Sequence, residues 1–350
     1  MNERHHLPQY RDKQTPLETI GVRMISQVAI DSMHLIDLGV MRKFLLRVLQ
    51  DKVNMKVSNE NKNYISNSLK SLEMCITKEF VRKPRGFDEI YNWKATEFRQ
   101  FLLYTGLSVL KNRVDDNIYY EYLLLHCSCR LLLCPKSYTS NTQIAQNMLS
   151  LFVQNFPVVF GETSVTYNVH HLLHLTNSIE EIGLISESSV YDFENYLQIL
   201  KRYVKKPTHI LQQLYKRISY ESFNTETAFD GLKLAKNGEY KYFRNNCVST
   251  AKHPDNYCLI KPYVPIEIQR FTYDNGGSVV GKKYTNVRSF FSEPVDSITL
   301  GISSVDLNLP DEEVLFPVSE IECKLLGLPH VGRLLFLPIL HDCRYIKYKS

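Results

Sequence analysis

The sequence predicts an α+β protein with a helical N-terminal part and a small β-rich C-terminal domain. Apolar residues recur at helical spacing within residues 51–162, as in the stretch "IYYEYLLLHCSCRLLLC". From about Asn245 the pattern changes to short β-branched and aromatic runs that are separated by Gly, Pro, Asn and Asp. One such separator, "YDNGGS" (Tyr273 to Ser278), is typical of a hairpin turn.

These patterns, read along the chain, divide it into six segments. The order is a polar, extended lead-in, a helix-containing segment, an all-helical block, a second helical segment, a polar linker and the β-rich domain. The predicted boundaries are 1–20, 21–50, 51–162, 163–220, 221–244 and 245–350.

The composition narrows the class of protein. The formal net charge is +5 over 350 residues, which permits a nucleic-acid partner without demanding one. The sequence has no signal-peptide pattern and no charge-free apolar run that could cross a membrane, so we expect no membrane partner and no secretion. The eight cysteines are therefore expected to be reduced thiols in a nuclear or cytoplasmic protein.

The stretch "VYDFENYLQILKRYVKKP", residues 190–207, combines one carboxylate near its start with a basic end. Glu194 falls on a polar helix face together with Lys201 and Lys205. It is either the acid of a solvated Glu-Lys ladder or a metal-binding acid beside a basic surface. The opposite face is predicted to be an apolar stripe of four residues, at spacings of four, three and four: Phe193, Leu197, Leu200 and Val204.

The stretch "DSMH" follows the short apolar run from Val28 to Ile30. Asp31 and His34 are three residues apart, so they share a face if a helix has begun there. The alternative interpretation is a helix N-cap, with Asp or Ser as the capping residue and a buried His.

Two other motifs contain residues that often bind metals. In "HHLLH", His170 and His174 have the spacing that two imidazoles need on a helix, but His171 occupies the position where a zinc protease has its glutamate base. A half-buried polar network is the favoured interpretation. The motif "CSCRLLLC", residues 127–134, lacks a second ligand pair and lies in an apolar helical run, which favours core cysteines.

Five stretches of the chain occur together in a characteristic order, and they span most of its length. In that order and at roughly that spacing they resemble the C-terminal part of a CACTA-type (En/Spm-like) transposase, of the lineage found in animal genomes. The stretches are "DSMHLIDLGVMRKFL" (31–45), "PRGFDEIYNWKATEFRQFLLYTG" (84–106), "NVHHLLHL" (168–175), "DFENYLQILKRYVKKP" (192–207) and "LGISSV" (300–305).

The resemblance implies an RNase H-like core, built from residues 21–50 and 163–220, with residues 51–162 as a helical insertion. Enzymes of this family cut and rejoin DNA with three acids that hold two divalent ions, and Mg²⁺ suits such a carboxylate cluster. By the family's motifs, Glu194 matches the third acid, and Asp31 with His34 matches the Asp-x-x-His element near the active site. Six basic residues after Glu194 are expected to contact DNA phosphates: Lys201, Arg202, Lys205, Lys206, Lys216 and Arg217.

The first two acids of the family lie upstream of the Asp-x-x-His element, where this sequence has only a polar lead-in. The sequence therefore predicts an incomplete RNase H-like core, a truncated or transposon-derived transposase-like protein, and no catalysis or stable Mg²⁺ binding by this chain alone. We expect weak, non-specific binding to DNA. The alternative function is a domesticated, non-enzymatic binding or scaffold protein, which uses the helical insertion and the β-rich domain for self-association, protein contacts or DNA contacts.

Overall fold

A computed structural model shows a helical N-terminal region followed by a curled antiparallel β-sheet region, which confirms the α+β prediction at this level. The described residues are 16–22, 27–50, 57–134, 138–185, 189–222, 230–244, 247–274, 276–308 and 312–340. Most of the predicted lead-in and residues 341–350, which include Cys343, lie outside them.

All regular structure in the described residues before position 230 is helical. Two segments are π-helical: Met33–Met41 and Phe101–Thr105. Short 3₁₀ turns link several of the helices. The α-helices are α1 (Pro16–Thr19), α2 (Arg42–Leu49), α3 (Asn59–Ser71), α4 (Ala95–Gln100), α5 (Gly106–Leu110), α6 (Asp116–Leu133), α7 (Tyr138–Phe160), α8 (Tyr167–His171), α9 (Leu175–Ile182), α10 (Tyr191–Tyr203) and α11 (Ile210–Ser222).

Helix α6 packs along α7. Nearly all of its side chains are buried, as expected for a helix that is apolar on every face. Cys127 and Cys129 are buried in it, which confirms their prediction as core residues, and burial raises the pKa of Cys127 to about 12. Arg130 is also buried, and its guanidinium group donates to the backbone oxygens of Leu103 (3.1 Å) and Pro338 (3.0 Å).

Two antiparallel sheets follow the helices. The strands are β1 (Gly231–Leu234), β2 (Tyr240–Arg244), β3 (Cys247–Ser249), β4 (Tyr257–Ile260), β5 (Val264–Thr272), β6 (Ser278–Lys283), β7 (Ser303–Asp306), β8 (Glu313–Pro317), β9 (Ile321–His330) and β10 (Arg333–Pro338). The smaller sheet has the strand order β1-β2-β3, and the larger has the order β7-β10-β9-β4-β5-β6-β8.

The predicted hairpin turn is present between β5 and β6. The backbone N–H of Gly277 donates to the oxygen of Asp274 (3.1 Å), and both Gly276 and Gly277 have positive φ, which glycine adopts without steric cost. The predicted linker at 221–244, by contrast, contains β1 and β2, so the β-rich region begins at Gly231 rather than near 245. Polar residues interrupt the apolar pattern of these two short strands. The pairing that stabilises the strands therefore cannot be recognised from the local sequence.

The helical and β-rich regions share one hydrophobic core. Leu326 and Leu335, from β9 and β10, are buried in the same cluster as Phe101 of the helical region. A buried ion pair also joins the two regions: Lys324 Nζ donates to both carboxylate oxygens of Glu79, at 2.9 and 2.8 Å. The β-rich region is therefore packed firmly against the helices.

Two further observations bear on the class of protein. Among the described residues, no helix is both long enough and apolar enough to cross a membrane. The seven cysteines within those same ranges are free thiols.

Candidate functional site

Asp31 begins the helical segment that carries the predicted Asp-x-x-His element. One carboxylate oxygen, Oδ1, accepts from the backbone N–H of Met33 (3.1 Å), and Oδ2 accepts from the backbone N–H of His34 (3.1 Å). Nδ1 of His34 also makes a hydrogen bond with Oδ2. Asp31 thus caps the helix, as the capping interpretation predicted, and it also contacts His34 on the same face, as the other interpretation predicted. The expectation of a buried His is wrong, because the His34 side chain is 59% exposed.

Two carboxylates of this segment hold the start of α10, which lies more than 150 residues further along the chain. Oδ1 of Asp31 accepts from the backbone N–H of Val190 (3.0 Å). The hydroxyl group of Tyr191 donates to Oδ2 of Asp37 (2.8 Å) in a buried contact. Met33 and Tyr191 also pack together in a small apolar cluster. We call the contacts of Asp31 with Val190 and of Asp37 with Tyr191 the α10 clamp.

Asp37 is the residue of this clamp whose role sequence reasoning did not identify. Burial raises the pKa of its carboxyl group to about 7, while Arg99 and the Tyr191 hydroxyl group act in the opposite direction. The negative charge of Asp31 contributes a further, smaller rise. The one available signal was the position of Asp37 on the apolar, inward face of the helix, because an acid is rarely buried there unless it has partners.

Glu194 lies one helical turn after Val190, in the first turn of α10, and its side chain is exposed. Its backbone N–H donates to the oxygen of Val190 (2.9 Å), so the clamp lies directly at the base of the turn that carries it. Glu194 forms no ion pair with a described basic side chain, so in the solvated Glu-Lys ladder, one of the two alternatives, the charges are not in direct contact.

The predicted apolar stripe of α10 is not a buried face. Phe193 is 68% exposed and Leu197 is 55% exposed, whereas the buried residues of α10 are Tyr191 and Ile199. The helix meets the protein through its N-terminal clamp and one edge. The spacing correctly identified apolar residues that share one face of the helix. Spacing alone does not show whether that face contacts the core or solvent.

The predicted DNA-binding residues all belong to the α10–α11 hairpin, residues 191–222. Gln213 of α11 holds the connection between the helices: its Oε1 accepts from the backbone N–H of Lys205 (2.9 Å), and its Nε2 donates to the oxygens of Lys206 (2.9 Å) and Thr208 (2.7 Å). Arg217 is half-buried. The other five basic side chains are exposed: Lys201, Arg202, Lys205, Lys206 and Lys216.

The histidines of "HHLLH" lie together at the junction of α8 and α9. The ring centroids of His170 and His174 are 5.7 Å apart, and those of His171 and His174 are 5.6 Å apart. Burial lowers the pKa of His171, and the two neighbouring histidines lower it further. All three rings are half-buried, as the polar-network interpretation predicted.

The Mg²⁺ implied by the family resemblance does not fit the donor set of these residues. An ionised carboxylate offers about four lone-pair positions, and Asp31 already accepts hydrogen bonds at both oxygens from Met33, His34 and Val190. Asp37 is buried and hydrogen-bonded to Tyr191. Of the predicted site acids, this leaves Glu194, whose side chain is exposed. Within the described ranges, no group of three His, Cys, Asp or Glu side chains is arranged to hold a metal ion.

Comparisons with known proteins give one match. Residues 206–339 match the family described as a domain of unknown function, DUF8592. The match covers less than half of the chain; it begins just before α11 and ends just after β10, so α10 and its clamp lie outside it. No curated protein and no solved structure matches the chain.

Proposed function

We propose that the chain is a transposase-like, DNA-binding protein whose own residues form an incomplete catalytic site. The observation that carries this proposal is the α10 clamp. It joins the Asp-x-x-His stretch to the base of the helix that bears Glu194, although the two are far apart in sequence. That pairing is what the family resemblance requires of residues 21–50 and 163–220, which in this proposal are the helical remnant of an RNase H-like core.

In this proposal Asp31 and Asp37 are positioning residues. They fix the first turn of α10 and thereby the direction in which Glu194 and the basic hairpin point. His34 contacts Asp31 and stays exposed beside the clamp. A fixed helix start matters for recognition because a rigid surface loses less conformational freedom on binding.

DNA binding is attributed to the exposed basic side chains of the hairpin. No carboxylate of the described residues is within ion-pair distance of Lys201, Lys206 or Lys216, so their charge is available to phosphates. Binding by such a cluster is electrostatic and independent of base sequence, and it weakens steeply with added salt. The expected affinity is therefore low at physiological ionic strength.

Catalysis by these residues alone is not part of the proposal. Two-metal phosphoryl transfer needs several carboxylates that converge on the ions. Asp31 and Asp37 are engaged in the clamp, and the exposed acids in the first turn of α10, Asp192 and Glu194, belong to no group of three metal-binding side chains within the described residues.

The test is a pair of assays on the full chain. Fluorescence anisotropy with a labelled 20-base-pair duplex should show binding that falls as the salt concentration rises. The variant Lys201→Gln/Lys206→Gln should bind about tenfold or more weakly, because each phosphate contact contributes to the salt-dependent affinity. The matched control Lys94→Gln/Lys236→Gln removes the same charge elsewhere and should bind nearly as well as the unmodified chain.

The second assay measures nicking and strand transfer with Mg²⁺ or Mn²⁺, comparing the chain with its Glu194→Gln variant. We expect no cleavage by either protein. Metal-dependent cleavage that the variant loses would contradict the incomplete site, and the absence of salt-sensitive DNA binding would contradict the DNA-binding role.

A specific observation favours a second candidate, the non-enzymatic binding protein. The hairpin exposes large apolar side chains on both helices, including Phe193 and Leu197 on α10 and Leu211 and Tyr215 on α11. Exposed apolar patches of this kind are common at protein interfaces. The variant Leu211→Ser/Tyr215→Ser separates the candidates: a protein-binding role predicts that it disrupts self-association in sedimentation velocity, while DNA binding persists.

A further inference from the structure

Helix α2 and the end of the preceding π-helical segment form the wall of a groove that none of the motifs predicted. The groove has a volume of about 330 Å³. The residues that line the groove recur three or four positions apart in the sequence, so their side chains share one face of a continuous helix. The lining residues are Leu38, Gly39, Arg42, Lys43, Leu46, Arg47 and Gln50.

The charge of this groove is of one sign. Arg42, Lys43 and Arg47 are half-buried in its lining, and no acidic residue lines it. No carboxylate within the described part of the chain forms an ion pair with any of the three. Partly buried cations are normally paired, because their loss of hydration is otherwise uncompensated. Within the described residues, the groove therefore presents three cations without a carboxylate partner.

The electrostatics at Lys43 support this conclusion. Burial lowers the pKa of the Lys43 ammonium group, and the positive charge of Arg47 lowers it further. Both effects disfavour the charged form of Lys43. An anion bound between Lys43 and Arg47 would offset both effects, since an opposite charge nearby stabilises the ammonium form.

We propose that this groove binds phosphate groups. A guanidinium group presents its N–H donors as a planar fork that matches two phosphate oxygens, and the lining supplies two such forks, Arg42 and Arg47. Lys43 adds a compact positive charge between them, and Gln50 adds an amide at one end. Leu38 and Leu46 supply apolar surface against which the sugar of a nucleotide can lie.

The same chemistry could come from a nucleic-acid backbone or from a small phosphorylated compound, and the experiment distinguishes these sources. The groove is on α2 and shares no residue with the α10–α11 hairpin. Phosphate binding here therefore stands whether or not the hairpin binds DNA.

The first measurement uses the unmodified full chain. Lysines are acylated with an amine-reactive reagent, with and without inorganic pyrophosphate, and the modified positions are read by peptide mass spectrometry. We expect pyrophosphate to protect Lys43 several-fold and to leave the exposed Lys233 unprotected. Equal labelling of Lys43 in both samples would overturn the proposal, and this result does not depend on any variant folding.

The second measurement is isothermal titration with pyrophosphate. The variant Arg42→Gln/Arg47→Gln should bind about tenfold or more weakly, because charge-assisted hydrogen bonds are lost. The matched control Lys233→Gln/Lys236→Gln removes two exposed charges from the β-rich region and should bind as the unmodified chain does. The proposal is overturned if both variants lose affinity equally.

Competition then identifies the source of the phosphate. If a 20-base-pair duplex displaces pyrophosphate, the natural ligand is a nucleic-acid backbone; if nucleoside triphosphates displace it and the duplex does not, the ligand is a small phosphorylated compound. Either result supports a phosphate site. Displacement by poly-glutamate as effective as that by either phosphate ligand would overturn it, because the groove would then recognise only negative charge.

Discussion

Glu79 and Asp37 are both buried carboxylates that join distant parts of the chain, and their surroundings shift their pKa values in opposite directions. Glu79 connects the helical region to the β-rich region through Lys324, 245 residues away. Asp37 connects the Asp31–Asp37 stretch to α10 through Tyr191, 154 residues away. Both contacts join distant parts of the chain. They differ in the group that contacts the buried carboxylate, which is an ammonium group at Glu79 and a hydroxyl group at Asp37.

At Glu79, burial acts to raise the pKa, but the charge and the hydrogen bonds of Lys324 outweigh it, and the pKa is lowered. The backbone N–H of Val248 adds a further hydrogen bond to Oε1 (2.9 Å). Lys324 in turn donates to the oxygen of Val248 (2.6 Å) and to Asp255. This carboxylate is therefore charged in the folded protein because a cation touches it directly.

At Asp37 the direct partner is a hydroxyl group. The Tyr191 hydroxyl stabilises the charged form, and so does the charge of Arg99, but burial is the larger effect and raises the pKa to about 7. A neutral donor thus compensates less of the cost of burial than a contacting ammonium group does. The helical–β contact is expected to hold at any pH near neutral, whereas the Asp37–Tyr191 contact of the α10 clamp titrates in that range.

The largest effect is expected from breaking the pair at Glu79. Lys324→Met removes the cation and leaves a buried, uncompensated carboxylate, which costs about 3–5 kcal/mol. The measurement is the free energy of unfolding from urea denaturation, followed by circular dichroism.

The control for this change is the double variant Glu79→Gln/Lys324→Met. Both variants lose the Lys324–Asp255 contact, so the difference between them reports on Glu79. Removing the charge of Glu79 as well should restore much of the lost stability, because a buried pair adds little over neutral groups of similar size. A single variant that loses less than about 1 kcal/mol would show that Glu79 does not depend on Lys324.

The second effect concerns pH. In the folded protein the Asp37 carboxyl group keeps its proton up to about pH 7, whereas in the unfolded chain it loses the proton near the ordinary value of 3.8. The stability that this group contributes is therefore complete below pH 3.8 and is lost as the pH rises toward 7. The loss is at most about 4 kcal/mol, since each unit of pKa shift corresponds to ~1.4 kcal/mol.

Asp37→Asn should remove this pH dependence, because an amide oxygen still accepts from Tyr191 and carries no charge. The variant is expected to be more stable than the unmodified chain at pH 8 and similar at pH 4. Asp192→Asn, on the exposed side of α10, is the control and should leave the profile unchanged. Parallel pH profiles for the unmodified chain and the Asp37→Asn variant would refute the assignment.

The local parts of the fold were predictable from the sequence. The burial of Cys127 and Cys129 follows from apolar residues on every side of α6, and the β5–β6 hairpin follows from "DNGG" between two β-branched runs. The capping role of Asp31 follows from its position before an apolar helical pattern. Each of these depends on residues within a few positions of one another.

The remaining features depend on contacts between distant residues. Phe193 is exposed because the contacts of Asp31 and Asp37 with the start of α10 fix the orientation of the helix. These contacts therefore determine which face of α10 packs against the protein. Strand β1 is stabilised by pairing with β2, and its four residues carry too little apolar surface to mark them as a strand. Periodicity within a segment contains no information about its distant partner.

The smallest effect is expected at the other half of the α10 clamp. Asp31→Ala removes the acceptor of the Met33 and His34 backbone N–H groups and of the Val190 N–H, and should cost about 1–2 kcal/mol, as for the loss of a helix cap. Asp31→Asn should recover most of this, because asparagine caps as well as aspartate. His34→Ala should change stability by about 0.5 kcal/mol or less, since the His34–Asp31 pair is largely exposed.

The measurement is urea denaturation together with amide hydrogen exchange. Faster exchange at Val190 in the Asp31→Ala variant, with unchanged exchange in α6, would locate the loss in the clamp. Loss of protection throughout the helical region would instead mean that Asp31 supports the whole fold, and the clamp would not be a separate element.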